Sequence, residues 1–295
     1  MKRFLLYLRA PFFTAVLVPA ALGAAVAYRF EHKFDIILFV ITCVGLMAAN
    51  GGVNLLNDYI DYIKGRDTAT SLRTPFAGGS PFLPEGIEKP RTFLVLSALM
   101  FVLALACGIY LAVRIDGGFG PILALAIIGG VLGILYNISF AYWGIGEIVV
   151  FLLCGPLPVL GSYYVQTGEL SARAVAASVP VAFFITAILW VNEIPDAPQD
   201  GRAGKRTMVV RLGTQRSAWI LGFLFTAGYA WVVLMAVAGF GAGVLLALLS
   251  APVAYNAALR ALDCHDQPAE LLPAQRDTII SHLALGVLLT VGVLI

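Results

Sequence analysis

Of the 295 residues, 60% are hydrophobic and only 12% charged, and the mean hydropathy is +0.90. A soluble domain carries about twice that charged fraction, so a water-soluble globular protein is excluded. The formal net charge of +2 says little by itself; no nucleic-acid partner is expected, and the medium for most of the chain is the lipid bilayer.

A helix needs roughly 20 apolar residues to cross a bilayer. By that measure nine spans are predicted, at 11–28, 36–57, 92–113, 119–139, 147–166, 172–192, 217–238, 241–261 and 278–295. The expected fold class is all-α, a polytopic membrane protein read as one membrane-embedded domain over residues 1–295. The first span follows Lys2, Arg3 and Arg9 and ends in small residues, Gly23, Ala24 and Ala25, as a secretory signal would. With eight further spans behind it, a retained helix is the better reading. Cys43, Cys107, Cys154 and Cys264 show no paired short spacing and read as small core residues. His32, His265 and His282 lack metal-ligand spacing, so zinc is not expected.

The second span closes on Asn57-Asp58-x-x-Asp61, and the sixth on Asn192-Glu193-x-x-Asp196, with Asp200 one helical turn later. Acids at the edge of an apolar segment are costly without a partner. Two clusters of matched spacing suggest one shared partner, and carboxylate and amide oxygens suit Mg²⁺. Asn57 and Asp61, Asn192 and Asp196, and Asp196 and Asp200 are four apart, the spacing that shares a helix face. Pro195 and Pro198 are expected to break or kink the end of the sixth span. The long polar loops that follow hold Lys64, Arg66, Asp67, Arg73, Lys89 and Arg91, and then Arg202, Lys205, Arg206, Arg211 and Arg216. Mg²⁺ takes one or two carboxylates and completes its shell with water and phosphate oxygens. Acids flanked by bases are thus equipment for a diphosphate, and the apolar bundle beneath suits a long hydrocarbon tail. A polyprenyl diphosphate has that shape.

Fifteen of the nineteen Lys and Arg residues fall at the N-terminus and in the even-numbered loops. Positive charge in short loops marks the cytoplasmic side. The expected arrangement is a multi-pass protein of the cell membrane with the N-terminus and both acidic clusters in the cytoplasm and the C-terminus outside. The clusters end spans four apart, which suggests a parallel four-helix repeat with its second copy beginning near 119–147.

At these residues the chain resembles the UbiA superfamily of membrane aromatic prenyltransferases. The stretches that carry the resemblance are N-D-Y-I-D-Y-I-K-G-R-D at 57–67 and N-E-I-P-D-A-P-Q-D-G-R-A-G-K-R-T at 192–207. Lys64 to Asp67, residues 155–168 and residues 205–213 are most similar to the menaquinone branch, which prenylates 1,4-dihydroxy-2-naphthoate. Gly65 stands where the general first motif has an acid, and Asn137-Ile138-Ser139-Phe140 lacks the proline-rich turn of that branch. The resemblance implies nine helices around a central cavity capped by the two acidic loops. It implies that Asn57, Asp61, Asp196 and Asp200 hold Mg²⁺ on the prenyl diphosphate, with Asp58 and Asp67 assisting in that shell or orienting bases. Lys64, Arg66, Lys205 and Arg206 are its phosphate-contact candidates, and Arg9 and Asn192 are further ones. Tyr136 and Asn137 would face the allylic carbon or the acceptor, which makes Asp61, Asp196 and Tyr136 the expected catalytic set. The implied reaction ionises the allylic C–O bond, and an aromatic ring attacks the cation; dihydroxynaphthoate also loses CO₂. The alternatives are a 4-hydroxybenzoate prenyltransferase, a membrane phosphotransferase and a secondary transporter. A transporter's ion site belongs near mid-membrane on interrupted helices, whereas these acids sit at helix ends.

Overall fold

Lipid offers no hydrogen bonds, so a chain this apolar must satisfy its backbone within each segment, and helices do so. The computed structural model describes residues 6–65, 80–202 and 204–295. Among them nine helices are long and apolar enough to cross a membrane. We number them α1 (Thr14–Glu31), α2 (Ile36–Ile63), α3 (Pro90–Arg114), α4 (Phe119–Trp143), α5 (Gly146–Thr167), α6 (Ala172–Arg202), α7 (Thr214–Phe240), α8 (Ala242–Cys264) and α9 (Pro268–Leu294). The described residues contain no strand.

Local chemistry sets several ends. Asp35 Oδ1 accepts from the amides of Ile37 and Leu38 at 2.8 and 3.0 Å, capping α2. Pro90 opens α3 at a position where a missing amide proton does no harm. Gly168, at φ 80°, closes α5 in the left-handed conformation that a Cβ disfavours.

Three limits differ from the sequence-based ones by six residues or more. Helix α2 continues six residues past 57, and α9 begins ten residues before 278. A hydropathy pattern registers the greasy part of a helix and not the polar turns that project beyond it. The larger difference is α6, which is expected to break or kink at Pro195 and Pro198; it does not break, and runs to Arg202 with Pro180, Pro195 and Pro198 inside it. A proline removes the bond to the carbonyl four residues back. For Pro180 that carbonyl is Ala176, and the indole of Trp231 on α7 donates to it at 2.9 Å.

Helix α6 is the hub of the bundle. Its Phe184, Val191 and Ile194 are buried with Leu22 of α1, Leu221 of α7 and Leu285 of α9. Lipid gives no hydrophobic drive for this packing, so close approach of backbones replaces it. A Cβ on Gly23 would lie 2.3 Å from the Val159 carbonyl, and one on Gly292 would lie 2.3 Å from the Gly243 carbonyl. By contrast Leu99, Val102, Ile127 and Val131 of α3 and α4 are exposed, facing outward to lipid. Helices α1 to α6 enclose a cavity of about 790 Å³. Its lining runs along α2 from Thr42 to Asp61, about 28 Å of helix.

Candidate active site

Both acidic clusters come to one end of this cavity, because α2 and α6 finish on the same side of the bundle. Asn57 and Asp61 from α2 and Asn192, Glu193, Asp196 and Asp200 from α6 all line it, with Lys205. The unbroken α6 keeps Asp196 and Asp200 one turn apart on one face.

Asp58 has a different place. It is 1% exposed and does not line the cavity; it forms an ion pair with Arg9. Arg9 itself does reach the lining, from a left-handed backbone at φ 51°. A π turn at Tyr136–Phe140 then shapes the opposite wall. It brings Tyr136 to the cavity and buries Asn137, whose amide accepts from Asn57 Nδ2 at 3.0 Å and donates to the Val53 carbonyl at 3.2 Å. Asn137 therefore orients Asn57 rather than presenting itself. Tyr142, just past the turn, donates to Asp61 at 2.5 Å and fixes that carboxylate.

The basic residues separate as clearly. Lys205 Nζ sits 2.9 Å from Asp200 Oδ2. Burial pulls its pKa down, but the Asp200 and Glu193 carboxylates outweigh that and hold the ammonium above its ordinary range. Lys64 lies over the Tyr142 ring at 5.2 Å and donates to the Ile138 carbonyl, outside the lining. Arg206 is exposed; its amide donates to the Tyr142 carbonyl at 3.1 Å, and its carbonyl accepts from Arg211. Arg66 and Asp67 lie outside the described residues.

Glu147, 5% exposed, accepts from the Met208 amide at 3.0 Å and anchors the loop that carries Lys205. Tyr142 and Glu147 are contributors that sequence reasoning missed. No local signal marks either, since each acts across more than sixty residues. Asn50 and Asn54 also line the cavity, and their signal is visible in retrospect: polar side chains at 50, 54, 57 and 61 repeat with helical spacing inside an apolar run.

No group of three Asp, Glu, His or Cys among the described residues is poised to hold a metal alone. The donors that are present nonetheless suit Mg²⁺ shared with a phosphate. They are hard oxygens, and Mg²⁺ draws one or two carboxylates from protein and the rest from water and substrate. Asn192 Oδ1 and Glu193 Oε2 are buried here with no hydrogen-bond partner, an arrangement that a cation or a proton would relieve.

A UbiA prenyltransferase family model matches residues 16–276. The chain is 28% identical to the 1,4-dihydroxy-2-naphthoate octaprenyltransferase of Bacillus subtilis, over 96% of this chain and 89% of that protein. It is 31% identical to the UbiA prenyltransferase domain-containing protein 1 of Gallus gallus, over 86% of this chain and 74% of that one. Among solved structures, the apo UbiA homolog from Aeropyrum pernix K1 superposes with a TM-score of 0.66 at 15% identity, over 95% and 96% of the two chains. A UbiA homolog from Archaeoglobus fulgidus bound to DMAPP and Mg²⁺ gives 0.64 at 14% identity, over 98% and 99%. These two likenesses establish the fold.

Proposed function

The chain belongs to the UbiA prenyltransferase family, and on that premise we propose that it transfers a polyprenyl group from its diphosphate to 1,4-dihydroxy-2-naphthoate. The observation that carries this is the meeting of Asp61 with Asp196, Asp200 and Lys205 at one end of a long apolar cavity. The likeness to the Bacillus subtilis octaprenyltransferase supports the choice of acceptor.

Asn57, Asp61, Asp196 and Asp200 would hold Mg²⁺. Bound there, it supplies positive charge that stabilises the leaving diphosphate. The chain's own residues do the rest. Lys205 adds a fixed cation beside the phosphates, and Tyr142 keeps Asp61 turned toward them. Arg66 and Asp67 are proposed as further contacts; Asp58 contributes by holding Arg9. Tyr136 borders the space where the allylic carbon meets the acceptor. The apolar walls hold the tail and keep water from the developing allylic cation. In the balance of the step, the allylic C–O bond breaks and a ring C–C bond forms. The diphosphate keeps the electron pair of the first, and the ring's carboxylate departs as CO₂.

The excess of Lys and Arg in the even-numbered loops supports a cytoplasmic N-terminus and cavity mouth. The acid-bearing helices, second and sixth in order, support reading residues 1–295 as one unit built on a parallel four-helix repeat.

The test is purified protein in lipid nanodiscs with a labelled prenyl diphosphate, Mg²⁺ and either 1,4-dihydroxy-2-naphthoate or 4-hydroxybenzoate. Prenylated naphthoquinol is expected, with none after EDTA. Transfer to the benzoate alone would replace the acceptor, and full turnover in EDTA would defeat the metal role.

A further inference from the structure

Two side-chain amides inside the bilayer take no part in the site described above. Asn50 and Asn54 stand one turn apart on α2 and line the cavity. Their Cα atoms lie about 16 and 10 Å deeper along α2 than that of Asp61. Polar groups at such depth are expensive and mark function more often than packing.

Their hydrogen bonds fix their orientation. Asn54 Nδ2 donates to the Leu8 carbonyl at 3.3 Å and to Asn50 Oδ1 at 3.1 Å. A carbonyl can only accept, so the NH₂ end of Asn54 must face Leu8, and the oxygen of Asn50 must then face Asn54. Left over are the Asn54 oxygen, an acceptor, and the Asn50 NH₂, a donor. Neither has a partner among the described residues. The hydroxyls of Thr42 and Ser162, also in the lining, are already committed to the carbonyls of Leu38 and Ala20. The amide pair is thus the cavity's uncommitted polar feature below the acids.

We propose that Asn50 and Asn54 bind a ring hydroxyl of the aromatic acceptor. The inference rests on the prenyltransferase reading and adds to it the group by which the acceptor is recognised. A hydroxyl is donor and acceptor at once, so its O–H donates to Asn54 Oδ1 while its oxygen accepts from Asn50 Nδ2. A carboxylate or diphosphate, which only accepts, leaves Asn54 Oδ1 facing an anion. A prenyl tail offers neither function. With its hydroxyl held at this depth, the ring extends up toward Asn57, where its reacting carbon meets the allylic carbon below the diphosphate.

The deciding variant is Asn50→Leu, because it keeps the Asn54–Leu8 contact. The acceptor KM should rise on the order of ten-fold, the worth of one or two hydrogen bonds, while the KM for the prenyl diphosphate stays put. Equilibrium binding of 1,4-dihydroxy-2-naphthoate, followed by its own fluorescence with no prenyl diphosphate present, should weaken by the same factor. Asn50→Gln, which retains the amide, should recover part of the loss, and it serves alone if the leucine variant does not insert. In the wild type, an acceptor with its ring hydroxyls methylated should bind no better than the parent acceptor binds Asn50→Leu. Unchanged acceptor binding in Asn50→Leu, or an equal loss for both substrates, overturns the proposal. If the wild type prenylates no hydroxylated aromatic at all, the parent reading fails instead.

Discussion

Asp58 and Asp61 stand three residues apart on α2, yet one is locked against Arg9 and the other opens on the cavity. Their substitutions should therefore fail in different ways. Asp61→Asn should abolish most prenyl transfer at an unchanged melting temperature, because Tyr142 can still donate to the amide oxygen. Asp58→Ala strips a buried counter-charge from Arg9, which is partly exposed, and should lower stability by about 1–3 kcal/mol. Thermal unfolding in detergent beside a turnover assay separates the two, and a stable, inactive Asp58→Ala protein would reverse the assignment.

Lys205 allows a pH argument at the same scale. A lysine whose pKa is raised by folding keeps its charge, and its stabilising contribution, below the unfolded value and loses them only as pH rises through the higher folded one. Here the carboxylates of Asp200 and Glu193 outweigh burial and raise it, so the ammonium stays charged throughout the neutral range. Lys205→Met should weaken prenyl diphosphate binding by a similar factor at about pH 6 and about pH 9, both well below the ordinary lysine value. A loss confined to the acid side would show that Lys205 is neutral at the higher pH.

At the scale of the element, α6 continues as a helix past three prolines, and one of them shows how. The carbonyl freed by Pro180 is met by Trp231, so removing the indole leaves an acceptor unpaired inside the bilayer. Trp231→Phe should cost about 1–3 kcal/mol. Adding Pro180→Ala restores an amide proton four residues from Ala176 and should return part of that stability, as measured by unfolding of both variants. No recovery would mean that the indole matters only as bulk. This donor from α7 accounts for Pro180 alone, and nothing in the structure explains the continuation past Pro195 and Pro198. Proline is a local breaker, and its compensation arrives from a helix fifty residues on. The existence of the spans was legible because a run of apolar residues is a local property, and Asp61 and Asp196 were legible because helical spacing is too. Tyr142 was hidden, and so was the role of Asn137, since both depend on a π turn that brings them against α2, and nothing in residues 136–142 names that neighbour. Asp58, one residue from Asn57, is expected to assist the metal shell or orient a base, and helical geometry turns it to the second, toward Arg9.

For the whole molecule, the cavity mouth must face the compartment from which the charged head group arrives. The even-numbered loops carry most of the Lys and Arg, and the acids of α2 and α6 sit at the ends of those helices that enter these loops. The two features belong to one side for a physical reason. Basic loops are retained in the cytoplasm, and one of their bases, Lys205, lines the cavity beside the acids. Replacing Cys43, Cys107, Cys154 and Cys264 gives a background for single-cysteine labelling. On that background, cysteines at the exposed positions Lys89 and Arg202 should react with an impermeant maleimide only from the cytoplasmic side. Cysteines at Asp116 and Glu169, exposed in the odd-numbered loops, should react only from outside. The reverse pattern would turn the protein over and place its cavity mouth outside the cell. Mixed labelling within either pair would break the alternation of the nine spans and, with it, the placement of both acidic clusters on one side.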